Sequence, residues 1–243
     1  MNRPRISGPA RIWGEIGLMA AIYLVILWGL GPHMAEGWPV VAVYWGLVAL
    51  GTAVILQAVR QESASPGPGL AAAWPPYLVW TVAAGGVLVA LALHRDPGAL
   101  RQIDPRLLGL KFAGYLIFAL IQATAFFGFL QRRLERLLQY RPGLSQWGRR
   151  GLVAAGVGGV FCLCHAPNPA MMLLTLIGGV AWSLIFSVRP NLWLLSLSHA
   201  VLGTLTHRVL LLNTRIGPFY AHPDLHILQQ AVPGLRQVFG NLF

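Results

Sequence analysis

The sequence predicts an all-α, polytopic membrane protein with about seven transmembrane helices. Of its 243 residues, 56% are hydrophobic and only 10% are charged, whereas a water-soluble domain carries about 25% charged residues. The mean hydropathy is +0.62. Several apolar stretches also reach the length of about 20 residues that a helix needs to cross a bilayer. Most of this chain is therefore expected to have lipid as its solvent.

Proline and glycine separate the apolar stretches and mark the links between helices. The predicted helices cover residues 12–31, 39–58, 74–94, 109–131, 151–167, 169–188 and 191–212. The link Pro167-Asn168-Pro169 is so short that the fifth and sixth helices should form a tight hairpin. Glycines cluster in these two helices, and close packing between membrane helices accounts for them. They are Gly156, Gly158, Gly159, Gly178 and Gly179.

The distribution of arginine predicts the orientation. With the N-terminus in the cytoplasm, the inner segments hold eleven arginines and the outer segments hold five. This asymmetry favours a cytoplasmic N-terminus and an external C-terminus, in a bacterial inner membrane. The net charge of +11 then serves membrane topology, and we expect no nucleic-acid partner. The tail at 213–243 contains an apolar patch near 225–232 and is expected to lie on the membrane surface.

Ionisable and sulfur-bearing side chains inside the spans are candidates for function, because they are costly there. Glu15 lies four residues after Arg11, so we interpret it as half of an ion pair on one helix face. Cys162 and Cys164 are two positions apart on one helix. Their side chains point about 200° apart and cannot easily form a disulfide. We expect both to be buried thiols.

Three histidines lie within the last predicted helices. His165 follows Phe161 by four residues, and His199 and His207 lie two turns apart on a later helix. A lone histidine in a helix is more often a hydrogen-bonded core residue, but two on separate helices can share a polar pocket. A zinc site needs three or four ligands in tetrahedral array, and Cys164 faces away from its neighbours. We therefore expect no metal and no cofactor.

Carboxylates are scarce where the histidines lie. Between Asp104 and Asp224 the only carboxylate is Glu135, among arginines at the end of the fourth predicted helix. A hydrolase that activates water with a general base needs Asp, Glu or His within reach of that water. Histidine alone remains for this role, and no carboxylate at membrane depth is available to orient it.

Two motifs of the C-terminal half carry a family resemblance. Phe161 and His165 form a Phe-x-x-x-His motif followed by a proline-containing turn, and His199 begins the stretch SHAVLG in the last helix. In order and spacing these resemble the core of the CPBP family, the CAAX endopeptidases and bacteriocin-processing proteins also called Abi proteins. The resemblance covers residues 108–212. It leaves 1–107 as N-terminal transmembrane helices outside the resemblance.

The first motif of that family is degenerate in this sequence. The family pattern has two adjacent glutamates, three residues, then arginine and glycine. Gly128 fits this frame, but Gln122 and Ala123 replace the glutamates and Phe127 replaces the arginine. The third motif also departs from the family, because Gly203 occupies the position that usually holds Asn or Asp.

The resemblance implies that a glutamate, working with the histidines, activates water in active relatives. Gln122 cannot replace that base, since an amide takes up no proton near neutral pH. We therefore assign no catalytic residue. Gln122, His165 and His199 are interpreted as a remnant pocket, in which Gln122 is hydrogen-bonded to one of the histidines.

Three functions are compatible with these observations. The first, which we favour, is a pseudoenzyme that acts as a scaffold or accessory subunit of a membrane complex, with an integral membrane protein as partner and with membrane lipids around it. The second is a protein that binds a lipid, isoprenoid or pigment in the former substrate cavity. The third is an intramembrane CAAX-type endopeptidase with altered catalytic residues.

Overall fold

The structure, a computed structural model, describes residues 8–62, 69–139 and 141–221, and every regular element in these ranges is helical. The all-α prediction is thus confirmed. The helices are α1 (Pro9–Leu24), α2 (Trp38–Glu62), α3 (Leu70–Arg95), α4 (Pro105–Ala123), α5 (Arg132–Gln139), α6 (Gln146–Leu163), α7 (Pro169–Val188), α8 (Leu192–Arg208) and the short α9 (Pro218–Ala221). A π-helical segment, Thr124–Gln131, joins α4 to α5 without a break.

Five helical stretches among the described residues are long and apolar enough to cross a membrane. They are Pro9–His33, Trp38–Gln57, Leu70–Arg95, Pro105–Gln139 and Pro169–Val188. The sequence predicts about seven spans, and the two remaining segments also form helices. However, α6 begins with a polar turn that contains Arg149 and Arg150, and α8 has only 17 residues.

Polar capping residues and prolines set the positions at which several helices begin, and hydropathy alone does not predict these positions. Asp104, Ser145, Asn168 and Asn191 each accept a hydrogen bond from a backbone N–H in the first turn of α4, α6, α7 and α8, respectively. As a result, α4 and α6 begin several residues before the apolar stretches predicted at 109 and 151. At the other end, α6 stops at Leu163 rather than 167, because a turn follows it.

The long helices alternate in direction, as three contacts between their ends demonstrate. Glu15, near the start of α1, pairs with Arg133 of α5. The Tyr23 hydroxyl, near the end of α1, donates a hydrogen bond of 2.7 Å to the carbonyl of Cys164 after α6. The Tyr77 hydroxyl, near the start of α3, donates to the carbonyl of Arg189 after α7. The N-terminal ends of α1 and α3 therefore lie at the same end of the bundle as α5 and the C-terminal end of α7.

The predicted hairpin of the fifth and sixth helices is confirmed by α6 and α7, which pack through glycines. A Cβ atom added at Gly158 would lie 2.6 Å from a Val180 methyl group, and one at Gly179 would lie 2.9 Å from the Cα atom of Gly158. The two backbones therefore approach more closely than any side chain permits. At Gly159, by contrast, an added Cβ meets no atom within 4 Å.

Helix α3 belongs to the core although the sequence resemblance leaves it outside. The hydroxyl oxygens of Thr81 in α3 and Ser198 in α8 are joined by a 2.6 Å hydrogen bond, and Trp182 of α7 donates to the Ser198 oxygen at 2.9 Å. Gly85 also admits Leu205 of α8 close to the α3 backbone. One serine thus connects three helices around the region that contains the histidines.

The start of the tail is bound to the turn between α6 and α7. The Asn168 amide donates to the carbonyls of Asn213 and Arg215 at 2.6 and 2.9 Å, and the backbone N–H of Gly217 donates to the carbonyl of Ala166 at 2.7 Å. The apolar patch at 225–232, which carries the surface prediction for 213–243, lies outside the described residues.

Candidate functional site

A cavity of about 340 Å³ lies between α3, α4, α7 and α8, and both His165 and His199 line it. Its walls are mainly apolar and aromatic, and they include Trp80, Tyr115 and Trp182. Two other lining residues are strongly exposed: Val87 of α3 is 59% exposed and Ile177 of α7 is 51% exposed. The cavity therefore opens sideways between α3 and α7, toward the region that lipid occupies around a membrane protein.

His165 lies in the turn that follows α6 and is fixed by its own chain. Its Nδ1 atom is 2.8 Å from the carbonyl oxygen of Phe161. Because a carbonyl only accepts hydrogen bonds, Nδ1 carries the hydrogen and donates it. In the neutral ring this leaves Nε2 with a lone pair, and the four-residue spacing of Phe161 and His165 is what sets this tautomer.

His199 of α8 is enclosed by aromatic rings. The ring centroids of Trp182, Phe161 and Tyr115 lie 4.8, 5.6 and 6.1 Å from that of His199. Its Nδ1 atom is buried and has no hydrogen-bond partner among the described residues. Phe161 also contacts His165, with centroids 5.0 Å apart, so this phenylalanine holds the two histidines on one side of the cavity.

Gln122 does not join the two histidines. It is half-buried on α4 and is absent from the lining of the cavity. The hydrogen bond expected between Gln122 and one histidine does not occur among the described residues, since His165 uses Nδ1 to donate to Phe161 instead. Gln122 follows the lining residue Tyr115 by seven positions, which places it about 10 Å farther along α4.

At the other positions where this chain departs from the family motifs, packed core side chains occupy the space. A Cβ atom at Gly203 would collide with the Tyr115 ring, lying 2.7 Å from Cζ and closer still to Cε1. No side chain fits at position 203 while Tyr115 lies there. Ala123 and Phe127 are also buried in the core, and the Phe127 ring lies 6.2 Å from that of Phe186.

The remaining candidates lie apart from the cavity. His207, two turns after His199, is half-buried and is not a lining residue. Cys162 and Cys164 are free thiols, but they are only partly buried, which corrects the expectation of buried ones. Cys162 lies in the last turn of α6 and Cys164 directly follows that helix, so the helix end leaves both partly uncovered. Within the described ranges, no three His, Cys, Asp or Glu side chains cluster as a metal site would require.

The sequence interpretation missed two polar contacts that link helices. The predicted pair of Arg11 and Glu15 is confirmed at 3.1 Å, but Glu15 also contacts Arg133 at 2.6 Å, and the Arg133 side chain is only 2% exposed. In addition, the fully buried Gln131 donates from Nε2 to Glu135 at 3.0 Å and to the Ser187 hydroxyl at 2.9 Å. Only the four-residue spacing of Gln131 and Glu135 was a visible signal.

Comparison with known families identifies the segment that contains this cavity. Residues 105–205, which make up 101 of the 243 residues, match the family described as type II CAAX prenyl endopeptidase Rce1-like. The C-terminal half therefore contains an Rce1-like domain, and the predicted family resemblance is confirmed over the matched residues 105–205. No curated protein and no solved structure matches the chain. Together with the five apolar helices, the domain makes this chain an integral membrane protein.

Proposed function

We propose that this chain is a non-proteolytic Rce1-like membrane protein that acts as a scaffold or accessory subunit of a membrane complex. The observation that carries the proposal is the chemistry of the cavity lining. Two histidines line it, but no Asp, Glu, Lys or Arg does in the part of the chain that the structure describes. The two imidazoles are therefore the only candidate bases in this lining, and no carboxylate beside them orients an imidazole for the activation of water.

Packing also argues against residual hydrolysis. Tyr115 occupies the space that an Asn or Asp side chain at position 203 would need, so a donor to a developing oxyanion has no room there. One such donor is worth about 3 kcal/mol of transition-state stabilisation. The position of the family arginine is filled by Phe127 in the core. Base, cation and donor are thus replaced by groups that serve packing.

The N-terminal helices support a role in binding a partner. Only 17% and 11% of the apolar windows in the α1 and α2 spans are buried, against 39% in the α7 span. Large apolar side chains are exposed along α2, among them Val43 and Leu50. Such a surface suits another transmembrane helix as well as it suits lipid. We propose that an integral membrane protein packs against α2.

Native mass spectrometry after gentle solubilisation from the native membrane tests this role. A stoichiometric partner protein is expected, whereas a bare chain would contradict the scaffold role. Val43→Trp on α2 should obstruct a partner helix and lower the bound fraction. The matched control is Leu173→Trp on α7, because the two positions are 54% and 59% exposed. Equal loss in both variants would show that the partner does not use α2.

A second candidate function is the binding of a lipid, isoprenoid or pigment, and the side opening of the cavity favours it. An apolar cavity with a few polar anchors is typical of a small-molecule site, and here the anchors are His165 and His199. Mass spectrometry of the extracted protein should then find one such molecule per chain. Ala83→Trp in the cavity wall should exclude it, whereas Ala90→Trp, seven residues along the same helix and outside the lining, should not. A cavity that is empty in all forms would contradict this candidate.

We further infer a bacterial inner-membrane location with the N-terminus in the cytoplasm. The ion pair between Glu15 and Arg133 places the start of α1 beside α5. This pairing agrees with the arginine distribution, which assigns both ends to the inner side. Labelling of a cysteine introduced at Ser145 tests the inference, since that residue is exposed in the connection before α6. Labelling from the periplasm would contradict it.

A further inference from the structure

A second cavity lies at the end of the bundle where α5 ends and α6 begins. It has a volume of about 440 Å³, and polar side chains from three helices line most of it. These include Glu135 and Gln139 of α5, Arg149 and Arg150 of α6, and Ser187 of α7. No residue of the Rce1-like motifs described above lines it, so its chemistry is separate from that of the histidine cavity.

The charges of this cavity do not balance. Glu135 is compensated, because it pairs with Arg132 at 3.0 Å and accepts a hydrogen bond from Gln131. Within the described ranges, Arg149 donates a hydrogen bond from Nε to the carbonyl of Leu144 at 3.2 Å. The Arg150 guanidinium lies 4.9 Å from the centroid of the Trp147 ring. Neither Arg149 nor Arg150 forms an ion pair with a described carboxylate, so two guanidinium groups leave an excess of positive charge.

The position of the cavity matches the depth of lipid headgroups. One apolar span ends at Gln139 and another ends at Val188, one residue after Ser187. The span that ends at Val188 has 20 residues, which is the length that crosses the hydrocarbon layer, so Ser187 lies near the boundary of that layer. Trp147 is strongly exposed next to Arg150, as aromatic residues often are at the membrane interface. The cavity therefore lies where the phosphates of a surrounding bilayer lie.

We propose that this cavity binds a phosphate group, namely that of an anionic phospholipid headgroup. Guanidinium groups bind phosphate oxygens through paired, charge-assisted hydrogen bonds, and basic pockets between transmembrane helices commonly hold such headgroups. Arg149 and Arg150 supply the donors, and the side-chain amide of Gln146, which lines the same cavity, can donate a further hydrogen bond. The acyl chains of the lipid then run along the exposed apolar surface of the bundle.

The test uses the full chain reconstituted in phosphatidylcholine bilayers with or without phosphatidylglycerol. Native mass spectrometry should find one phosphatidylglycerol retained per chain, and titration of this lipid should raise the unfolding temperature. Arg149→Gln combined with Arg150→Gln should weaken binding about tenfold or more. Arg141→Gln is the matched control, because Arg141 is an exposed arginine in the connection before α6 but does not line the cavity. Its affinity should stay within about twofold of the unmodified chain.

Other outcomes overturn the proposal. Unchanged binding in the double variant, or equal losses in the double variant and the control, would mean that general surface charge holds the lipid. Stabilisation by inorganic phosphate alone, with none by phosphatidylglycerol, would assign the cavity to a soluble phosphate compound. If the double variant fails to fold, Gln139→Glu adds a negative charge to the exposed rim without removing an arginine. It should lower phosphatidylglycerol binding, and unaltered binding would refute the proposal.

Discussion

Replacing Gly203 with alanine tests whether Tyr115 has closed the third family motif. The added methyl carbon would lie 2.7 Å from Cζ and 2.9 Å from Cδ1 of the Tyr115 ring. The ring cannot retreat easily, because Phe118 and His199 flank it with centroids 6.2 and 6.1 Å away. Overpacking of this kind destabilises a core by about 1–3 kcal/mol. We therefore expect Gly203→Ala to lower the free energy of unfolding.

The helix preference of alanine must be separated from this steric effect. Exchanging glycine for alanine within a helix stabilises it by about 1 kcal/mol. Gly159→Ala provides the reference, because an added Cβ at Gly159 meets no atom within 4 Å. The difference between the two variants isolates the steric effect, so Gly203→Ala should be less stable than Gly159→Ala by about 1–3 kcal/mol. For a chain of this size, each kcal/mol changes Tm by about 2–4 °C.

Thermal unfolding in one detergent, followed by circular dichroism, measures this difference. A double-mutant cycle then assigns it to the ring: in a Tyr115→Ala background, Gly203→Ala should no longer be destabilising. The coupling between the two positions should match the steric effect, about 1–3 kcal/mol. Equal stability of Gly203→Ala and Gly159→Ala would refute the claim that Tyr115 fills the space of the missing side chain.

Two further predictions concern the contacts that join the helices. Glu15→Gln removes the charge that pairs with the buried Arg133 at 2.6 Å, and this should lower the free energy of unfolding by about 3 kcal/mol. Arg11→Ala removes only the exposed partner of Glu15 and should lower the free energy of unfolding by less than about 1 kcal/mol. Equal losses of stability for the two variants in thermal unfolding would contradict the stronger role given to the pair of Glu15 and Arg133. Gly158→Leu should separate α6 from α7 and reduce the yield of monodisperse protein in size-exclusion chromatography. The control is Gly151→Leu, because an added Cβ at Gly151 meets open space, and this variant should elute as the unmodified chain does. Normal elution of Gly158→Leu would contradict the prediction, because the hairpin would then tolerate a wider separation of α6 and α7.

Composition and proline spacing predicted the helices because a membrane span must be apolar and must end at a break. They predicted the tight hairpin for the same reason, since Pro167 and Pro169 leave almost no room for a loop. Helix starts were less accurate. The caps Asp104 and Ser145 begin α4 and α6 in polar sequence, where hydropathy carries no signal.

The site was predictable only in part. The motif positions of His165 and His199 indicated two histidines that line the same cavity. Sequence alone could not show that Tyr115 fills the space beside Gly203, because the two residues lie on different helices. The contact between Glu15 and Arg133 was missed for the same reason, as no local spacing relates residues 118 positions apart.

Peptide hydrolysis by the full chain in liposomes tests the central claim most directly. A quenched, prenylated CAAX peptide is the substrate, and an active member of the family reconstituted in the same way is the positive control. We predict that cleavage does not exceed the protein-free rate. The variant combining His165→Ala with His199→Ala should give the same rate. Turnover by the unmodified chain that disappears in a folded double-histidine variant would contradict the non-proteolytic account and identify this chain as an endopeptidase with altered machinery.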